Sequence, residues 1–138
     1  LRYRKMAHTA EDLTAMILRN DYNAILDFSH RDVHHGFVLE YPLNIEADLA
    51  EVEKKVKDLI DDGVKVCYHD EAHIRIGKDL WDCSGPRTHV KNTEDIENFR
   101  LVHHYTYDPK TKSYLIIGIV GPKADDLDGF AALSYSVR

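Results

Sequence analysis

An imidazole trades protons near neutral pH and binds borderline metals, so nine histidines in 138 residues invite a search for chemistry. Three groups stand out. In "SHRDVHHGFVLEY" (Ser29 to Tyr41), an extended chain would project His30, Asp32 and His34 from one face at every second position. Two imidazoles and a carboxylate are a ligand set that zinc accepts, although no recognised zinc spacing accompanies them. A polar loop turning at Gly36 accounts for the same letters. In the second group His69 and His73 flank "DEA", with Arg75 and Cys67 on the same outward face. Two facing imidazoles near an arginine could act as acid and base in a phosphodiester or acyl reaction, and wet cross-strand pairs give the same pattern without function. The third is "LVHHYTY", where His103 shares a strand face with Leu101, Tyr105 and Tyr107 while His104 points the other way. One of the two is expected to be buried or half-buried among aromatics, as an inert core group or as the acid or base of a small pocket. His69, His73 and His103 are therefore the candidate catalytic residues, and His30, Asp32 and His34 the candidate metal ligands.

Other chemistries leave no signature. The chain has no phosphate-cradling glycine loop, dinucleotide fingerprint or nucleophile elbow. "ADDLDGF" lacks the first acidic ligand and the distal glutamate of a calcium loop. Cys67 and Cys83 are too few for a disulfide framework and are read as reduced thiols, Cys67 in a strand. A net charge of −6 disfavours phosphate backbones and anionic membranes, and the longest basic run, "RYRK", reads as a solvated terminus. The longest apolar run, "YLIIGIV", falls far short of the ~18 residues that cross a bilayer.

The elements that must position these groups follow from periodicity and punctuation. "HTAEDLTAMILRND" predicts a helix capped by Thr9, with Asp12 at capping-box spacing and an end near Asn20. A second helix is expected after Asn44, with Ile45, Leu49, Val52, Val56, Leu59 and Ile60 on its apolar stripe, Glu51–Lys55 and Glu53–Lys57 on its wet side, and Gly63 as its stop. "NAILDF" and "GFVLEY" read as strands joined through the polar residues before Gly36. "VKVCYHDEAHIRIG" reads as a hairpin in which His69 faces His73 and Val66 and Tyr68 share a side with Ile74 and Ile76. "WDCSGPRTHVKN" reads as loop and "NTEDIENF" as one short capped turn. "RLVHHYTY", "SYLIIGIV" and "FAALSYSV" then form an antiparallel meander, with "LIIGIV" covered on both faces.

The expectation is a single α+β domain over residues 1–138: a mostly antiparallel sheet of about seven strands with two main helices packed on one face. An acidic domain of ordinary composition points first to a small binding or regulatory module that engages a protein partner through a sheet face or edge. The alternatives are a histidine-dependent or metal-assisted hydrolase, with a divalent metal permitted but not preferred, and a winged-helix-like nucleic-acid binder using residues 64–77 as the wing. Strands where a second helix belongs, together with the acidic charge, count against the last. The compartment stays open, with a slight preference for the cytoplasm.

Overall fold

The first helix, α1 (Arg2–Tyr22), begins well before the expected cap, so "RYRK" is its first turn and Thr9 lies inside it. A computed structural model of the chain describes residues 2–33, 35–82, 88–122 and 124, the side chains of residues 30–33 and 82 apart. Every residue of α1 from Met6 to Leu18 is buried. Alanines at positions 7, 10 and 15 let neighbouring elements approach closely, while Leu13, Met16 and Leu18 fill the core. A helix enclosed on all sides usually has apolar residues all round. This one also buries His8, Thr9, Glu11, Asp12 and Thr14, and burial of such groups is costly unless they are satisfied.

The helix lies against a five-stranded antiparallel sheet. Strands β1 (Phe28–Val33) and β2 (Gly36–Tyr41) form a hairpin, so the polar run before Gly36 is itself largely strand rather than loop. After β2, the helix α2 (Leu49–Asp62) starts four residues beyond Ile45, where the Asp48 side chain accepts the Glu51 N–H at 3.2 Å. It stops as expected on Gly63, whose φ of +67° is the left-handed cap that favours glycine. Glu53 departs from the wet-side reading: it is buried, and its carboxylate accepts the Leu101 N–H at 2.6 Å.

A smaller sheet follows, made of β3 (Val66–Tyr68), β4 (His73–Ile76) and β5 (Asp79–Asp82). Its hairpin has the expected register, with Val66 opposite Ile76 and Tyr68 opposite Ile74. The third strand begins before the expected loop and takes in its first two residues, Trp81 and Asp82. Residues 88–92 run beside β3, through the Val66 N–H bond to the Lys91 carbonyl at 2.9 Å and a bridge between Lys65 and Asn92. Asn92 then caps one 3₁₀ turn, Thr93–Asp95, as its sequence predicts.

The last described strands return to the larger sheet: β6 (Arg100–Leu101), β7 (Thr106–Asp108) and β8 (Ser113–Ile119). The order is β1-β2-β8-β6, with β7 also pairing with β8. "RLVHHYTY" is therefore not one strand. Leu101 pairs with Gly118 and Thr106 with Leu115, so four residues, 102–105, span the two positions 116–117 and must bulge from the ladder. Strand β8 is central and buried on both faces, as its unbroken apolar run implies. Ile116 joins Phe37, Leu39 and Tyr41 in the cluster on the helix side, while Leu115, Ile117 and Ile119 join Val38 on the other. The architecture is thus α+β with antiparallel pairing, built as two sheets where one was expected. Strands precede α2 where a winged helix would need a second helix. Among the described residues no helix is long and apolar enough to cross a membrane. The expected strand "FAALSYSV", the loop at "ADDLDGF" beyond Ala124, and Cys83 lie outside the described residues.

Candidate metal centre

The buried polar residues of α1 find their partners across the molecule, on the segment that runs beside β3. His8 and Asp12 stand four apart, on one face of the helix, and His89 approaches from residues 88–90. All three are buried, at 2%, 8% and 6% exposure. The two imidazoles stack with centroids 4.0 Å apart and planes inclined by 29°. Both Nε2 atoms are near one carboxylate oxygen, Asp12 Oδ2, at 3.8 Å from His8 and 3.5 Å from His89.

The opposite side of each ring is anchored, and the anchoring is reciprocal. His8 Nδ1 lies 2.9 Å from Thr88 Oγ1 and 3.1 Å from the Thr88 carbonyl oxygen. His89 Nδ1 lies 3.0 Å from Thr9 Oγ1, which also accepts the Val90 N–H at 3.1 Å. Each histidine is thus oriented by the threonine adjacent to the other. A carbonyl can only accept, so this contact is a hydrogen bond when the His8 ring proton is on Nδ1, the tautomer that leaves the lone pair on Nε2. The Thr9 hydroxyl, with its second lone pair, suits the same tautomer at His89.

This is how metal-ligating histidines are usually held, one nitrogen fixed by an outer partner and the other turned toward the ion. The three ligand atoms lie within 4.8 Å of one another. Separations of 3.5 and 3.8 Å are long for hydrogen bonds but near the edge of a tetrahedron with ~2.0–2.1 Å metal–ligand bonds, which is about 3.3 Å. Each imidazole thus stands at a distance from the carboxylate that an ion between them could span, and the stacked rings would have to open for both in-plane lone pairs to meet on it. Two histidines and a carboxylate would leave coordination positions on such an ion for other ligands.

A cleft of about 290 Å³ is lined by Lys65 to Tyr68 and His89 to Lys91, so that of the three clustered residues His89 alone borders it. The Tyr68 hydroxyl accepts the His89 N–H at 3.3 Å, and the Tyr68 and His89 ring centroids are 6.2 Å apart. Elsewhere in the core, the phenol of Tyr41 is held well above its ordinary pKa, first by burial and then by the nearby Glu11 and Tyr105.

The residues singled out from sequence fall elsewhere. His30 stands in β1 opposite Val38, and the pairing shifts between His30 and Val33, which takes in Asp32. The side chains of His30 and Asp32, and the whole of His34, lie outside the described residues. His69 and His73 do face each other at the hairpin end, where the His69 N–H donates to the His73 carbonyl at 3.1 Å. Asp70 sits between them, 2.8 Å from His73 Nδ1 and 4.0 Å from His69 Nε2, and its pKa is lowered, chiefly by the His73 hydrogen bond. This is a solvated group. His103 and His104 are both exposed, against the expectation that one is buried among aromatics, because the bulge at 102–105 lifts them off the sheet. His103 Nε2 meets Glu53 Oε2 at 3.1 Å.

Sequence reasoning passed over His8, Asp12 and His89. The signal was there, a histidine and an aspartate at i and i+4 in "HTAED", but reading Thr9 as a cap placed His8 outside the helix and gave Asp12 a capping role. His89 lay in a stretch read as loop, and nothing local tied it to residue 8. Set against known proteins, the chain matches no family model and no curated protein.

Proposed function

We propose that this protein is a metal-assisted hydrolase that holds one divalent first-row ion, zinc by ligand type, between α1 and residues 88–90. The observation that carries the proposal is the convergence of His8, Asp12 and His89, with both imidazoles anchored through Nδ1 by threonines. An ion bound there would supply Lewis acidity and lower the pKa of a bound water. His8 and His89 would bind it as neutral ligands, Asp12 would offset part of its charge, and Thr9 and Thr88 would fix the rings. Elemental analysis of tag-free protein is expected to return one zinc per chain, and His8→Ala and His89→Ala each to lose it while keeping the far-ultraviolet circular dichroism spectrum. Less than a tenth of an equivalent after zinc dialysis would sink the reading, and stoichiometric iron retained in preference to zinc would replace hydrolysis by oxygen chemistry.

A second reading, engagement of a protein partner at a sheet edge, is supported by the apolar side chains around the start of β1. Ile25 is 80% and Leu43 75% exposed, and Phe28 is also exposed. A cleft of about 380 Å³ between Tyr22–Ile25 and Tyr41–Ile45 adjoins them. Self-association or partner capture that survives Ile25→Ser with Leu43→Ser would remove the support for this reading.

A further inference from the structure

We infer that Tyr68 is the latch of the candidate centre: its ring closes over His89 at the cleft, and an ion enters and leaves by the opening that this ring controls. The inference rests on the proposed ion site and deepens it by naming what sets the rate of exchange there. Asp12 and both histidines are buried, and the His89 side chain is only 1% exposed. The cleft meets the cluster at His89, and Tyr68 stands in its wall. The His89 ring is stacked on His8 and has Tyr68 beside it, tilted by 60° with centroids 6.2 Å apart. His8 belongs to the helix enclosed in the core, whereas Tyr68 is 49% exposed on β3. Continuing the register of the Lys65–Asn92 bridge by three residues sets Tyr68 across from His89. There the His89 N–H donates to the Tyr68 hydroxyl at 3.3 Å, just beyond the usual range, a weaker tie than a ladder bond to a carbonyl. Loading asks for movement at this point. The stacked imidazoles must part before both Nε2 lone pairs reach one ion, and His8 is fixed in a buried helix, so the movement falls to His89. Tyr68 bears on that residue twice, through its ring and through its hydroxyl. Because the latch closes over the centre whether or not the ion is in place, it slows entry and release alike and leaves the affinity nearly unchanged.

Stopped-flow loading of the full chain with zinc, followed by release into excess chromophoric chelator, separates this inference from the reading beneath it. Tyr68→Ala is expected to raise both rates about tenfold or more, the size of one lost hydrogen bond and a lost ring contact, while Kd stays within about threefold. Tyr68→Phe keeps the ring and removes the hydroxyl, and its rates are expected to fall between those of the parent and Tyr68→Ala. Tyr107→Ala removes a tyrosine of similar exposure from β7 and is expected to leave both rates unchanged. Zinc exchange at parent rates in Tyr68→Ala, equal acceleration in Tyr107→Ala, or a change in Kd as large as the change in rate overturns the latch alone. Where Tyr68→Ala loses the far-ultraviolet circular dichroism spectrum of the parent, Tyr68→Phe decides, and rates equal to the parent's overturn the latch. Failure of the parent chain to take up zinc overturns the metal reading and this inference with it.

Discussion

At the scale of single residues, Thr9 does the work that a capping assignment would have hidden. Its hydroxyl joins His89 Nδ1 to the Val90 N–H from inside a buried helix turn. Thr9→Val keeps the shape and removes both contacts, so zinc affinity is expected to fall about 10–100-fold, the usual effect of losing an outer-sphere partner. A competition titration with a chromophoric chelator reads this directly, and an unchanged affinity would mean that the threonine does not orient the ring. Glu53 carries a different consequence. Burial pushes its carboxyl pKa up, but the Leu101 N–H, His103 and Lys57 outweigh that and hold it below the ordinary value. A carboxyl whose folded pKa is depressed stabilises the fold above its unfolded pKa and loses that contribution as pH falls through the folded one. Urea midpoints measured downward from pH 5 are therefore expected to drop, and Glu53→Gln to flatten that drop. At pH 7, Glu53→Ala should cost about 1–3 kcal/mol, because the Leu101 N–H is left buried without its acceptor.

At the scale of elements, β2 packs closely against β8. A Cβ on Gly118 would fall 2.3 Å from Phe37 Cζ, so this glycine exists to seat a ring in the middle of the sheet. Gly118→Ala is expected to destabilise by about 1–3 kcal/mol through overpacking, and Phe37→Leu in the same chain to recover part of the loss. Additive midpoints in the four-variant cycle would contradict that coupling. The stop of α2 at Gly63, the register of β3 on β4 and the burial of β8 were legible because each has a local cause: a left-handed cap, an alternation that keeps apolar side chains together, an apolar run without alternation. The start of α1 was not, since a threonine followed three residues later by an acid resembles a cap whether or not the helix extends upstream. The break at 102–105 was not legible either. It arises from mismatch against β8, a strand distant in sequence.

At the scale of the whole molecule, α1 is the organising element, with the larger sheet on one side and residues 88–90 on another. Arg19, near its end, lies 4.2 Å over the ring of Trp81 in β5, tying the smaller sheet to the same helix. The polar face that this enclosure buries was unreadable from local pattern, because its value depends on a segment that sequence shows only as "THV". An ion that binds the folded chain and not the unfolded one stabilises by about 2.7 kcal/mol at one hundred times its Kd, a rise of roughly 5–10 °C in Tm for a domain of this size. Scanning calorimetry with and without zinc is expected to show that rise in the parent and not in Asp12→Asn. Equal shifts in both would place the ion elsewhere.

The reciprocal pairing of histidines and threonines joins positions separated by 80 residues along the backbone. Coordination there would close a long loop much as a covalent bridge does, with a benefit set by the entropy denied to the open chain. Unlike a disulfide, this staple would come out with a chelator and go back with the ion. Amide exchange in both partners of the crossing, the middle of the buried helix and the distant "THV" segment, should then quicken and slow together as metal is removed and restored.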